Sequence, residues 1–210
     1  MGRRSEPFTH RVALSLRSTF EQGPNPNVND LDTARKIADG NPETIEAFVH
    51  AHYAFILRFM RNLTRRIEDA EDLTQQTFLT ARRQAGSFKG NSSLRTWLHR
   101  VAFHEYTHWK RRQRRTETLS PALATHEAGF HACIEAASLL DALHRLPDLH
   151  REAFLLHEVQ ELSLVEVAKV VGKPVGTVKS RLFHARKMLR SMLEAEQENT
   201  IHGEPALEPR

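Results

Sequence analysis

The run from Ser163 to Arg190 constrains the fold of this chain more than any other feature. Ser163-Leu164-Val165-Glu166 is a capping box that opens a helix, and Gly172-Lys173-Pro174 ends it. Helical period resumes at once from Val175 and runs to about Leu193. On a helical wheel Val175, Val178, Leu182, Ala185 and Leu189 share one face, which should pack on Leu164, Val167, Ala168 and Val171. Two short helices across a tight turn, the second strongly basic, describe a helix-turn-helix.

The opposite face of the second helix carries Lys179, Ser180, Phe183, His184, Lys187 and Arg190, with Arg181 and Arg186 at its flanks. Arg and Lys meet phosphates or guanine edges, and Ser bonds either, so the face suits a major groove. The competing reading is a solvated helix face. Against it, no acidic residue lies between Gly172 and Arg190 to pair with the cations. Phe183 pointing outward needs a cover, which thymine methyls or sugars could supply; the alternative puts it at the edge of the core.

Strand signals are nearly absent upstream as well. Residues 1–28 contain a Gly-Pro-Asn-Pro-Asn stretch without sustained period and are expected to form a flexible extension. Asn41 as N-cap and Pro42 at the first helical position start a helix whose apolar stripe is Ile45, Phe48, Val49, Ile56, Phe59, Met60 and Leu63. A second helix is predicted from about Asp69 to Ala85, followed by the loop Gly86 to Asn91. A third is predicted from about Ser93 to Arg112. Residues 114–134 show no strong period and are expected to be a linker. Helical pattern resumes with Leu139, Leu140, Leu143 and Leu146, stops at Pro147, and continues through Ala153 and Leu156. The expected architecture is therefore all-α: domains at 29–113 and 135–194 joined by a flexible linker, with a polar tail at 195–210.

Two of these helices divide into faces. On the second, Ala70, Leu73, Phe78, Ala81 and Ala85 should be core, while Asp69, Asp72, Gln75, Gln76 and Leu79 point the other way. An outward Leu rimmed by carboxylates and amides fits a protein-binding patch, with an ordinary solvated face as the alternative. On the third, Leu94, Trp97, Leu98 and Val101 face inward, and Arg95, His99, Arg100, Phe103, Lys110 and Arg111 fall on the other side. A basic surface interrupted by an aromatic suits a nucleic-acid single strand, whose phosphates need charge and whose bases need a flat partner. Phe103 is the candidate stacking residue; the alternative is an incidental exposed aromatic.

Other signals exclude more than they suggest. In 210 residues the one cysteine, Cys133, rules out an intrachain disulfide framework, and no apolar run approaches a membrane span. The N-terminus has no continuous apolar stretch of signal-peptide type, so a cytoplasmic location is expected. The net charge of +4 favours an anionic partner only weakly; the two separate basic tracts, Arg95 to Arg115 and Lys173 to Arg190, say more. His126, His131 and Cys133 match no standard zinc spacing, and no cofactor or metal is expected. No nucleophile elbow, phosphate loop or metalloprotease motif is present, so the chain does not read as an enzyme. Asp69, Glu71 and Asp72 are the only carboxylates that a nuclease reading could use.

Pro174-Val175-Gly176-Thr177-Val178-Lys179-Ser180-Arg181-Leu182, followed by Ala185-Arg186, resembles region 4 of extracytoplasmic-function sigma factors. Leu146-Pro147 and Arg151 to Leu156 match the same domain. Asp69 to Leu79 is similar to region 2.2 of that family, and Trp97-Leu98-His99-Arg100-Val101-Ala102 to region 2.3 and onward. The resemblance implies a protein that binds core RNA polymerase through Asp69, Asp72, Gln75, Gln76 and Leu79. It implies capture of the melted −10 strand around Phe88, Lys89, Gly90, Asn91, Arg100, Phe103, His104, Lys110 and Arg111. The −35 duplex would be read by Thr177, Lys179, Ser180, Arg181, Phe183, His184 and Lys187, and an anti-sigma factor is an expected partner. His104 stands where the family often has Asn, and His184 where it often has Arg, so base preference does not transfer. A stand-alone helix-turn-helix regulator is the alternative, although the first 135 residues offer no sensing or phosphoacceptor domain.

Overall fold

The computed structural model describes residues 29–64, 66–119 and 141–202, the side chains of 116–119 and 196–202 excepted. Among these residues there is no strand. The first half comprises α1 (Asp30–Ala38), α2 (Pro42–Leu63), α3 (Ile67–Gln84) and α4 (Leu94–Leu119). The second half comprises α5 (Asp148–Phe154), α6 (Leu164–Val171) and α7 (Val175–His202), preceded by a helical turn at 141–145.

Local chemistry sets most of these boundaries. The Asn41 side chain accepts the Thr44 N–H at 2.8 Å, and Pro42 occupies the first turn of α2. Ser163 and Glu166 form both hydrogen bonds of the capping box at the start of α6. Gly172 closes α6 in the left-handed region at φ 65°, where a Cβ would be strained. The start of α4 is capped from a distance: Asp30 of α1 accepts the Leu94 N–H at 2.7 Å.

Phe48, Ile56, Phe59, Met60 and Leu63 of α2 meet Ala70, Leu73 and Ala81 of α3 and Leu98, Val101, Ala102 and Tyr106 of α4 in the first core. Thr74 and Thr77 are also buried, because their hydroxyls donate to the Ala70 and Leu73 carbonyls one turn back, each at 2.7 Å. In the second half Val178, Leu182, Ala185 and Leu189 of α7 are buried with Val167 and Val170 of α6 and Leu143, Phe154, Leu155 and Leu156.

Three features depart from the expectations. Helix α1 was not anticipated; its period rests on only Ala34 and Ile37, which are buried, and Leu31, which is not. Helix α4 continues to Leu119, through positions expected to begin the linker, and α7 continues to His202 through the expected fraying tail. The second half also contains a π turn, Leu155–Val159, directly after α5. The expected extension at 1–28, the rest of the linker with His126, His131 and Cys133, and residues 203–210 lie outside the described residues.

The two halves, expected as two helical domains joined by a linker, also touch one another: α4 packs against α6, and α2 touches the π turn. Polar side chains of α4 carry that contact, described below.

Candidate polymerase and DNA interfaces

The α3 face forms as its pattern requires. Asp72, Gln75, Gln76 and Leu79 are exposed and Asp69 half-buried, with Leu79 55% exposed although it is apolar. All five line a groove between α3 and α4 whose opposite wall is His104, Glu105, His108, Trp109 and Arg112. Sequence reasoning missed that wall except for His104, which it assigned to the −10 set. The signal was available: 104, 105, 108, 109 and 112 recur at helical spacing on the α4 face turned toward α3. His104 and His108 sit one turn apart with their Nε2 atoms at 3.1 Å, one of them donating to the other.

The expected −10 set divides. Lys89, Gly90, Asn91, Arg100, His104 and Arg111 are exposed. Phe88 is 8% exposed and sits edge-on against Trp97 at 5.7 Å, so its ring belongs to the loop's own packing. Gly90 has φ 70°, and an added Cβ there would meet the Leu31 side chain at 3.2 Å, so a residue with a side chain would strain this loop. Phe103 is half-buried beside Tyr106. Lys110 does not face solvent freely: it lies between Asp148 at 2.8 Å and Glu152 at 2.9 Å in the second half. Burial alone would lower its pKa, but the hydrogen bonds it donates to the two carboxylates hold it above the ordinary lysine value.

The basic outer face expected on α4 also needs correction at Arg95 and His99. His99 is 1% exposed, with Nδ1 at 2.9 Å from the Arg95 carbonyl and Nε2 at 3.1 Å from the Gln160 amide. Burial lowers its pKa and keeps it neutral. Arg95 is half-buried and donates to the Gln160 carbonyl. Neither residue announced this, because Gln160 lies more than 60 positions away from both.

The recognition helix keeps its predicted faces. Lys179, Ser180, Phe183, His184 and Lys187 are exposed, Thr177 and Arg181 half-buried, and among the described residues Phe183 at 64% is the most exposed of the large apolar side chains. Arg186, placed at the flank, pairs with Glu158 on the π turn and so anchors α7 instead of adding free charge. His150 on α5 meets the His184 ring edge-on at 5.9 Å.

The family models for Sigma-70 region 2 and Sigma-70 region 4 match residues 48–116 and 136–189, more than half the chain between them. The chain belongs to the sigma-70 family. It is similar to RNA polymerase sigma factor YlaC of Bacillus subtilis, at 31% identity over 76% of this chain and 98% of that protein. ECF RNA polymerase sigma factor SigC of Mycobacterium tuberculosis is 35% identical over 74% of this chain and 86% of its own length. Among solved structures, the sigma factor RpoE of Bartonella quintana, in complex with the anti-sigma factor NepR, superimposes with a TM-score of 0.62 at 27% identity, covering 71% of this chain and 96% of that one. This sigma factor therefore carries region 2 in α2 to α4 and region 4 in its second half, in the order its two motif sets indicated. Among the described residues no helix is long and apolar enough to cross a membrane, and no group of three or more His, Cys, Asp and Glu could hold a metal ion.

Proposed function

We propose that the sigma factor divides its work between three surfaces. The α3 groove, with Leu79 as anchor and Asp69, Asp72, Gln75 and Gln76 as rim, docks core RNA polymerase. The 88–91 loop with Arg100, Phe103 and Arg111 holds the melted −10 strand. The exposed face of α7 reads the −35 duplex. The observation that carries this reading is the pairing of two exposed apolar side chains, Leu79 and Phe183, each set in a polar rim on a family-matched element. Water solvates neither well, and each surface has the polar chemistry of its proposed partner. No bond is made or broken by this chain; strand opening follows from tighter binding of the open state than of the duplex.

Leu79→Asp is expected to weaken core binding by more than tenfold, the size of a central interface residue, while leaving the melting temperature within ~2 °C. Phe183→Ala is expected to weaken −35 duplex binding about five- to tenfold, with core binding unchanged. Fluorescence anisotropy with labelled core and labelled duplex reads both. If each variant reduced both bindings equally, the division of labour would be wrong.

Two solved relatives are RpoE, held by NepR, and CnrH, held by the cytosolic domain of CnrY. By that likeness, an anti-sigma factor is proposed as a further partner of this chain.

A further inference from the structure

Helix α4 presents two imidazoles to the groove that it forms with α3. His104 and His108 lie one turn apart, both are exposed, and their Nε2 atoms stand 3.1 Å from each other. The helix fixes their backbone positions, because Val101, Ala102 and Tyr106 pin this stretch of α4 into the first core. As a structural contact the pair contributes little. In a neutral ring one nitrogen donates and the other accepts, so the two rings share one hydrogen bond, which water supplies equally well at an exposed site.

The same geometry suits a metal ion. Bonds of ~2.0–2.1 Å to both Nε2 atoms, the zinc–imidazole length, span the 3.1 Å separation at an N–metal–N angle of roughly 100°. That angle lies between the right angle of square or octahedral coordination and the wider tetrahedral one, so the helix need not move. Each ring then carries its proton on Nδ1 and turns the Nε2 lone pair to the ion. Two neutral rings reach this state by a change of tautomer, with no net release of a proton.

The surroundings favour a cation. Asp69 and Asp72 from α3 and Glu105 from α4 line the groove, against one guanidinium, Arg112. Imidazole nitrogens select zinc and its late-transition neighbours, whereas magnesium and calcium take oxygen. Among the described residues no group of three or more His, Cys, Asp and Glu could hold an ion, so the two rings are the protein's whole share of the site and water fills the remaining positions. Such a site is open and exchangeable, unlike the closed four-ligand sites that hold folds together. Spacing along the sequence drew attention to His126, His131 and Cys133; this pair shows itself in the placement of its ring nitrogens.

We propose that His104 and His108 chelate one divalent late-transition ion, Zn²⁺, Ni²⁺ or Cu²⁺, through their Nε2 atoms on the α4 wall of the groove. The ion makes the wall opposite Leu79 more positive and keeps open coordination positions on the groove side.

The test uses the full chain, untagged and carrying Cys133→Ser, with half an equivalent of Cu²⁺ as the probe, read by electron paramagnetic resonance. The spectrum should be that of an ion held by two imidazole nitrogens. Zn²⁺ in excess should displace the Cu²⁺, and Mg²⁺ in the same excess should not. His104→Gln and His108→Gln each leave a single ring and lose the advantage of two linked ligands, so each should lower the affinity of this tightest site tenfold or more. Both rings are exposed, so far-UV circular dichroism of the two variants should match the parent. His126→Gln/His131→Gln should leave spectrum and affinity unchanged. A parent spectrum without two imidazole nitrogens, a tightest site indifferent to both single substitutions, or an equal loss in the 126/131 variant would each overturn the proposal.

Discussion

At the scale of single residues, the half-buried His52 and the buried His99 make the fold acid-sensitive. Burial, with the nearby His99 and Arg95, lowers the pKa of His52 to about 4, and burial lowers that of His99. An unfolded histidine binds its proton near pH 6.5, so below that pH the unfolded chain holds more protons than the folded one. Stability is complete above about 6.5 and falls through the window down to the folded values. Urea midpoints are expected to hold between pH 8 and 7 and to decline steadily from pH 6.5 to 4.5. His52→Gln should flatten that decline without abolishing it, because His99 still contributes. A midpoint that rises on acidification would contradict the lowered values of both rings. The carboxylates behave differently from one another: burial outweighs the Lys110 contact and raises Glu152, whereas hydrogen bonding to Lys110 and three neighbouring cations overcome burial and lower Asp148.

At the scale of elements, the turn between α6 and α7 sets how the recognition helix is aimed. Gly172→Ala puts a Cβ into the left-handed region at φ 65°, although no neighbouring atom stands within 4 Å of it. The loss should therefore be conformational only, about 1–2 kcal/mol. Thermal unfolding should show that loss with the far-UV spectrum unchanged; a neutral effect would mean that the turn relaxes. This turn was legible from sequence because Gly, Pro and a capping box act over three or four residues. The same holds for the Asn41-Pro42 start and for the two faces of α3 and α7, each a local period. What was not legible depended on distant partners. Arg95, His99 and Lys110 sit at positions that a helical wheel marks as outward. They turn inward only because Gln160, Asp148 and Glu152 arrive there from the second half. The π turn that aims Gln160 has no local sequence signal of its own, since Leu155 to Val159 continue an ordinary apolar period.

At the scale of the whole molecule, the account rests on one chain presenting separate surfaces to a polymerase and to two promoter elements. The groove between α3 and α4 and the outer face of α7 are both exposed while the two halves remain in contact. The most direct measurement is transcription by purified bacterial core polymerase on genomic DNA, with and without this protein, read as mapped 5′ ends. The account predicts new start sites that appear only with the protein and share paired elements upstream, and predicts that Leu79→Asp removes them. An unchanged set of starts, together with tight binding of this chain to duplex DNA in the absence of polymerase, would contradict it and favour a stand-alone helix-turn-helix regulator.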